Sequence, residues 1–460
     1  MTADATRGAM MQSGGGPRAF PPGPRPRYPG EMLVTLLRDR LTFFERIARH
    51  GDITHVRLGG RHIYVLRHPD LIKDVLVTHS RHFVRGRGLR RAKRLLGEGL
   101  LTSEGELHRR QRRLIQPAFH RQRIAGYART MAAYAARERD RWRDGETLDL
   151  HAAMMRLTLA IAGKALFDAD IEGEATEIGD AVTQAIDTFE IAVLPFSELL
   201  DHLPLPWVRR FDAARARLDD TVYRMIAERR QGGGDRGDLL SMLLAARDEE
   251  GDGAGMTDEQ LRDEVLTLLL AGHETTANAL VWTWCLLARH PEVERTLHEE
   301  VDGMLGGAAP TMDDVARLPY TRMVLAESMR LYPPAWLLGH EAAAEVEIGG
   351  WHIPAGSLCI MPQLIVHRDE RWWPEPERFV PERFAPDAQQ SRPRFAYFPF
   401  GGGPRQCIGE QFAWTEGIIV LATIAQRWRL ALASGAPVKP RPAFTLRPEG
   451  RVMVRVEGRQ

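Results

Sequence analysis

The chain has 460 residues and is 44% hydrophobic, ample for a large core and unlike a disordered or fibrous protein. Its 62 basic and 61 acidic residues leave a formal net charge of +1, so nothing global points to nucleic acid or an anionic membrane as partner. Cys285, Cys359 and Cys407 stand far apart and form no Cys-x-x-Cys pair, which argues against a zinc site or a disulfide framework and fits a reducing cytoplasm.

Residues 1–29 are rich in Gly, Pro and Arg and hold no apolar run able to act as a signal peptide or membrane span. The expectation is a flexible segment over 1–20, no membrane anchor, and one domain over 21–460 in a cytoplasmic protein. Residues 31–50 have helical apolar spacing that stops at Gly51. Two runs, 54–58 and 61–66, flank Gly59-Gly60 and predict a hairpin with a two-residue turn. From 104 to about 230 the pattern is mostly helical, with a break near 194–206 and a loop at 231–235. Helices resume through His290 and again through Arg330. Residues 369–387, rich in Pro, Trp and Arg, predict an irregular packed segment. A helical pattern over 411–424 and a β-like tail over 444–456 close the chain. This order predicts a mainly α fold with a minor β region.

The most informative segment is Phe400-Gly401-Gly402-Gly403-Pro404-Arg405-Gln406-Cys407-Ile408-Gly409. It sets a cysteine in a glycine-rich loop just before a helix. Unpaired N–H groups and the helix dipole favour an anion there, so the Cys407 thiol is expected to ionise readily. A thiolate so placed suits the proximal position of a haem, where it pushes electron density onto iron. Glycines let the backbone approach a flat macrocycle, Phe400 can shield the sulfur from water, and Arg405 can pair with a carboxylate on the cofactor rim. The bland alternative is a structural cysteine in a turn.

A second segment lies inside the longest helical pattern, 257–290, which opens with a capping box of Thr257 and Gln260. In its middle stands Ala271-Gly272-His273-Glu274-Thr275-Thr276. Gly272 weakens a helix, and a threonine bonded to the carbonyl four residues back can bend it and open a groove. Taken alone, Thr275 reads as a back-bonded core residue and Glu274 as part of a solvated or salt-bridged face.

Together these segments resemble the cytochrome P450 superfamily. Its haem signature, Phe-x-x-Gly-x-Arg-x-Cys-x-Gly, is met by Phe400, Gly403, Arg405, Cys407 and Gly409, and the resemblance runs from about Pro21 to the C-terminus. It implies the P450 fold as a single haem domain, haem b (iron protoporphyrin IX) as cofactor and Cys407 as the iron ligand. By the same resemblance Thr275 and Glu274 manage water and protons at bound oxygen, and His273 is structural. Glu327 and Arg330, with Arg383 from the Pro381-Glu382-Arg383-Phe384 segment, form a buried charged network. His108 and Arg112 match a family pair and, with Arg405, make a clamp for the haem propionates. Where relatives often place an arginine this chain has His340, a weaker candidate for the same clamp because imidazole is only partly charged near neutral pH. Leu270, Ala271, Thr275, Ala335, Trp336 and Leu337 are expected on the substrate side, with 95–101 and 189–194 as looser candidates. Their apolar character implies a lipophilic substrate.

The implied activity is O2-dependent hydroxylation or epoxidation of a lipophilic small molecule, a terpenoid being preferred over a fatty acid, steroid or polyketide. The chain holds no convincing flavin or nicotinamide fingerprint, so a separate ferredoxin with an NAD(P)H-dependent reductase is expected to supply electrons. Arg109, Arg110 and Arg113 offer a basic docking patch. The competing readings are a peroxide-driven peroxygenase and a non-catalytic haem-thiolate sensor or carrier.

Overall fold

The structure, a computed structural model, describes residues 20–169, 181, 205–232, 234, 236–248 and 253–459. The segment expected to be flexible, the break near 194–206 and the candidates at 189–194 lie wholly or largely outside them. The principal helices are α1 (Glu31–Arg38), α2 (Arg40–Ala48), α3 (Gly105–Ile115), α4 (Arg121–Arg141), α5 (Leu150–Phe167), α6 (Pro206–Gly232), α7 (Leu239–Ala245), α8 (Asp258–Leu287), α9 (Pro291–Leu305), α10 (Pro319–Leu331) and α11 (Glu410–Ala425).

The single helix predicted over 31–50 is two. Asp39 takes an extended backbone (φ −151°), and its carboxylate caps α2 by accepting from the Thr42 N–H at 3.0 Å. The capping box of α8 is present, Thr257 and Gln260 bonding reciprocally at 3.0 and 3.2 Å. The loop expected at 231–235 starts later, because α6 continues through Gly232. Helix α8 is the axis of the molecule, with α5, α10 and α11 packed around it. By length and composition α5 could cross a membrane, but 72% of it is buried inside the fold, so it is accounted for as a core helix.

The strands are β1 (Ile53–Leu58), β2 (Arg61–Leu66), β3 (Phe83–Arg85), β4 (Thr147–Asp149), β5 (Leu338–Ala342), β6 (Val346–Ile348), β7 (Trp351–Ile353), β8 (Leu358–Met361), β9 (Trp428–Leu432), β10 (Pro440–Pro442), β11 (Leu446–Pro448) and β12 (Met453–Gly458). The predicted hairpin is β1–β2. Leu58 pairs with Arg61 across Gly59 and Gly60, both at positive φ (+55° and +83°), as a two-residue turn of this hand requires. The largest sheet runs β1-β2-β8-β5-β3, and the predicted tail supplies β11 and β12. Strands β5 to β8 were not anticipated. Their pairing has a consequence for the site: β3 lies antiparallel to β5 and sets Arg85 opposite His340.

Candidate active site around Cys407

The loop before α11 is built from short-range bonds. The Cys407 N–H donates to the Phe400 carbonyl at 3.0 Å and the Gln406 N–H to Gly403 at 3.1 Å, while Gly409 stands at the N-cap. The Phe400 ring lies 5.7 Å from that of Trp414, which fixes it beside the loop. The glycines make room for protein. Gly403 has φ +67°, and a Cβ there would stand 1.8 Å from the Leu76 carbonyl oxygen. A Cβ on Gly402 would strike the Phe395 ring at 2.6 Å.

Cys407 is exposed, in contrast with the buried Cys285 and Cys359. Opposing influences act on the pKa of its thiol. The protein packed around the sulfur pushes it up to about 11, outweighing the Gly409 N–H and Arg112, which act in the opposite direction. A bound metal ion deprotonates such a thiol outright.

Beside this loop lies a group of basic side chains. Helix α3 carries His108 and Arg112 one turn apart, β3 carries Arg85 and β5 carries His340. Arg405 donates to the Ser103 carbonyl at 2.7 Å and pairs with the Glu104 carboxylate. Glu104 also accepts from the Arg85 N–H at 2.6 Å. Arg112 reaches the Gln406 carbonyl at 2.8 Å, so it braces the cysteine loop directly. Burial and then the neighbouring arginines lower Arg85 to about 10, and His108 and His340 to about 3. Both imidazoles are therefore neutral here, not partly charged. Arg85 Nε and His340 Nδ1 are buried without a hydrogen-bond partner among the described residues. Crowded buried cations with unused donors are what a pair of carboxylates would satisfy, so these residues fit the propionate edge of a haem. Sequence reasoning missed Arg85. It has no motif of its own and joins the group only through the β3–β5 pairing.

Between Leu261 and Leu287 every residue of α8 is buried except Ala271, Gly272 and Thr275. The Thr275 hydroxyl donates to the Ala271 carbonyl at 2.6 Å, the back-bond expected to bend the helix. Glu274 points elsewhere. It is buried and accepts from Arg447 Nε at 2.6 Å and from the Thr445 hydroxyl. The salt-bridged alternative for Glu274 is thus the one this geometry displays, and the chain offered no local sign of its two partners. His273 is fully buried and neutral, lowered to about 4 chiefly by burial.

The charged network is present as expected. Arg330 grips Glu327 through two bonds of 2.7 and 2.8 Å and reaches the His367, Pro376 and Arg378 carbonyls. Arg383 joins Glu327 at 3.4 Å. On the substrate side the expectations divide. Ala335 and Leu337 are partly exposed, whereas Leu270 is buried. Trp336 is committed to packing: its indole N–H donates to the Ala443 carbonyl at 2.9 Å and its ring meets Phe44 edge-on.

On the outer side of the loop a surface cleft of about 230 Å³ reaches Cys407 between Arg112, Phe119, His120 and Gln411. The neighbouring arginines are engaged within the protein. Arg109 pairs with Glu106 at 2.5 Å, and Arg110 and Arg113 pair with Asp248 at 3.2 and 3.1 Å. The patch is less basic than its sequence suggests.

A largely helical fold with a cysteine loop at the start of a core helix, together with a long core helix whose buried run is interrupted at Ala271, Gly272 and Thr275, fits the haem-thiolate class of protein. The sequence profile of the cytochrome P450 family matches residues 21–456, and the chain belongs to that family. It is 42% identical to cyclooctatin synthase of Streptomyces melanosporofaciens, covering 91% of each chain. It is 41% identical to cyclooctat-9-en-7-ol 5-monooxygenase of the same organism, over 87% of each. Pentalenene oxygenase of Streptomyces avermitilis is 36% identical, over 92% of this chain and 94% of the relative. The crystal structure of the cytochrome P450DA heme domain superposes with a TM-score of 0.84 at 30% identity, covering 96% of this chain and 98% of that one. The chain is a cytochrome P450 monooxygenase with a haem-thiolate cofactor, and a substrate and O2 are its reactants.

Proposed function

We propose that residues from about 21 onward form one domain that holds haem b through the Cys407 sulfur and hydroxylates or epoxidises a polycyclic terpenoid. The observation that carries this reading is the short exposed stretch Ala271, Gly272 and Thr275 in a helix otherwise sealed. It is mostly apolar and carries one hydroxyl, as an oxidation chamber for a hydrocarbon needs. Thiolate-bound haem activates dioxygen, placing one oxygen atom in the substrate and releasing the other as water at the cost of two electrons and two protons. The remaining work falls to this chain. Arg85, Arg405, His108 and His340 receive the propionates, with Arg112 holding the cysteine loop. Gly409 offers its N–H to the sulfur, and Phe400 keeps water from it. Thr275 would hold water or oxygen, Glu274 would supply protons to it, and Ala271, Ala335 and Leu337 would bound the substrate. Glu327, Arg330 and Arg383 fix the segment that leads into the loop.

The terpenoid preference is supported by relatives named for cyclooctatin and pentalenene chemistry. A separate ferredoxin and NAD(P)H-dependent reductase, in the cytoplasm, are proposed as the electron source, meeting the surface at the cleft beside Cys407. The test is optical. The reduced protein should give the carbon-monoxide difference band of a thiolate-bound haem, and Cys407→Ala should abolish it. Titration with pentalenene and with cyclooctat-9-en-7-ol should shift the Soret band as substrate displaces water. A normal band in Cys407→Ala would refute the ligand, and no shift with either terpenoid would refute the substrate class.

A further inference from the structure

Resting on the reading of the basic group beside Cys407 as the edge that meets the haem propionates, we propose that Glu104 is the resident counter-charge of that edge. It cancels one of three guanidinium charges, leaves a site matched to two carboxylates, and holds the reduction potential of the haem below the value the arginines alone would set. Glu104 is a positioning residue, acting on the cofactor through Arg405 and through its own charge.

Glu104 stands at the N-cap of α3, where a short Ser, Thr, Asp or Asn side chain ordinarily accepts one of the first free N–H groups. Its carboxylate makes no capping bond. It turns to the basic group instead. One oxygen accepts from the Arg405 guanidinium and the other from the Arg85 backbone N–H at 2.6 Å. The backbone beside it is held as well, the Ser103 carbonyl accepting from Arg405 at 2.7 Å. Upstream, the Glu98 and Leu100 N–H groups donate to the carboxyl groups of Asp263 and Glu264 on α8 at 2.7 and 2.9 Å, and the Thr102 hydroxyl donates to the Gly97 carbonyl at 2.7 Å. The loop from Gly97 to Glu104 is thus tied at both ends, and the charge it carries is fixed in place. The pair is largely withdrawn from solvent, with 27% of the Glu104 side chain and 17% of the Arg405 side chain exposed.

Arg85, Arg112 and Arg405 carry three positive charges, while burial and the arginines keep His108 and His340 neutral. With the Glu104 carboxylate the group carries three charges less one, the +2 that two ionised propionates cancel. Burial lowers the Arg405 guanidinium, and Glu104 opposes that lowering ahead of any other group. It acts in the same direction on Arg85. The carboxylate therefore eases the crowding of the arginines, but it also takes from the site part of its attraction for propionates. Haem affinity alone gives no reason for it. A reason lies in the charge of the iron. Reduction from ferric to ferrous adds one electron, and a fixed negative charge nearby opposes that addition. Hydrogen bonds and burial around a haem are among the means by which a protein sets its potential, and a fixed charge at the propionate edge belongs with them.

The test uses the haem-loaded protein and reads two quantities that need neither substrate nor redox partner. One is the reduction potential, followed in the Soret band with dithionite as electron donor. The other is the rate of haem transfer to an apo-globin acceptor. Glu104→Gln keeps the length of the side chain and an oxygen for the Arg85 N–H but removes the charge. It should favour the ferrous state by roughly tenfold, a rise of about 59 mV for one electron, and should slow haem loss. Glu104→Asp keeps the charge and should stay near the wild-type potential. Arg405→Gln should lower the potential and speed haem loss by roughly tenfold or more. Glu104→Gln/Arg405→Gln returns the group to +2 and should return the potential to near wild type. A wild-type potential in Glu104→Gln would overturn the counter-charge, as would an equally large shift in Glu104→Asp. So would faster haem loss in Glu104→Gln at unchanged potential, which a purely bracing role would give. Wild-type potential and haem loss in Arg405→Gln would instead refute the propionate edge itself. If Arg405→Gln loads no haem, the contrast between Glu104→Gln and Glu104→Asp decides alone.

Discussion

Arg85 shows how much a single buried charge can depend on its absent partner. The residue is 9% exposed, its guanidinium is lowered to about 10 by burial and by Arg405, and its Nε has no partner among the described residues. Replacing it by alanine should therefore weaken haem binding with little effect on the haem-free fold. A hydrogen bond to a charged group contributes about 1.5–3 kcal/mol, or roughly 10- to 150-fold in affinity. Haem transfer to an apo-globin acceptor measures the loss, and unchanged retention in Arg85→Ala would remove it from the clamp. Cys407, Arg405 and Gly409 were legible in the sequence because their chemistry is compressed into one loop. Arg85, Thr445 and Arg447 were not: Arg85 joins the site only through the pairing of β3 with β5, and Thr445 and Arg447 meet Glu274 from a segment distant in the chain. Gly403 has a further reason that only the folded chain creates: its missing side chain clears the Leu76 carbonyl.

At the scale of elements, α8 and α10 were readable because long apolar periodicity and the Thr257–Gln260 cap write themselves locally. The strands from 338 to 361 were not, being three to five residues long and stabilised by neighbours from elsewhere in the chain. The network at the end of α10 belongs to this scale because it joins two separate segments through one acid. Glu327 is fully buried, holds two bonds from Arg330, accepts the Val380 N–H at 3.0 Å and meets Arg383. Glu327→Ala strands a guanidinium that is itself fully buried, and breaking a buried pair in this way costs about 3–5 kcal/mol. The segment leading into the cysteine loop should then lose its order. The expected product is protein without haem, read as the ratio of Soret to protein absorbance, and full haem loading would refute the role of the network.

At the scale of the whole molecule, the pH dependence of stability should be set by imidazoles that the fold keeps neutral. Burial lowers His108 and His340 to about 3, His55, His273 and His298 to about 4, His367 well below its ordinary 6.5, and His151 in the same direction. A base whose folded pKa is depressed binds its proton only on unfolding. Its contribution is complete above about 6.5 and is lost as pH falls toward the folded value, by about 1.4 kcal/mol per pH unit for each group. Four buried carboxyls oppose this, Asp263 and Glu294 being raised by burial as well. Glu264 is raised to about 8 and Glu416 well above its ordinary 4.5, both by burial, so their contributions are complete below about 4.5 and fade as pH rises. Seven imidazoles outweigh four carboxyls, and the haem-free protein should lose stability steeply between pH 6.5 and about 4. His273 isolates the effect, since it is 0% exposed and neither ring nitrogen has a well-formed partner among the described residues. His273→Leu should be neutral or slightly stabilising at pH 7 and should flatten the acid decline, because one proton fewer is taken up on unfolding. Urea midpoints followed by far-ultraviolet circular dichroism at pH 7 and pH 5 measure both slopes. Equal slopes for the variant and wild type would mean that His273 is protonated in the folded protein and that burial does not control it.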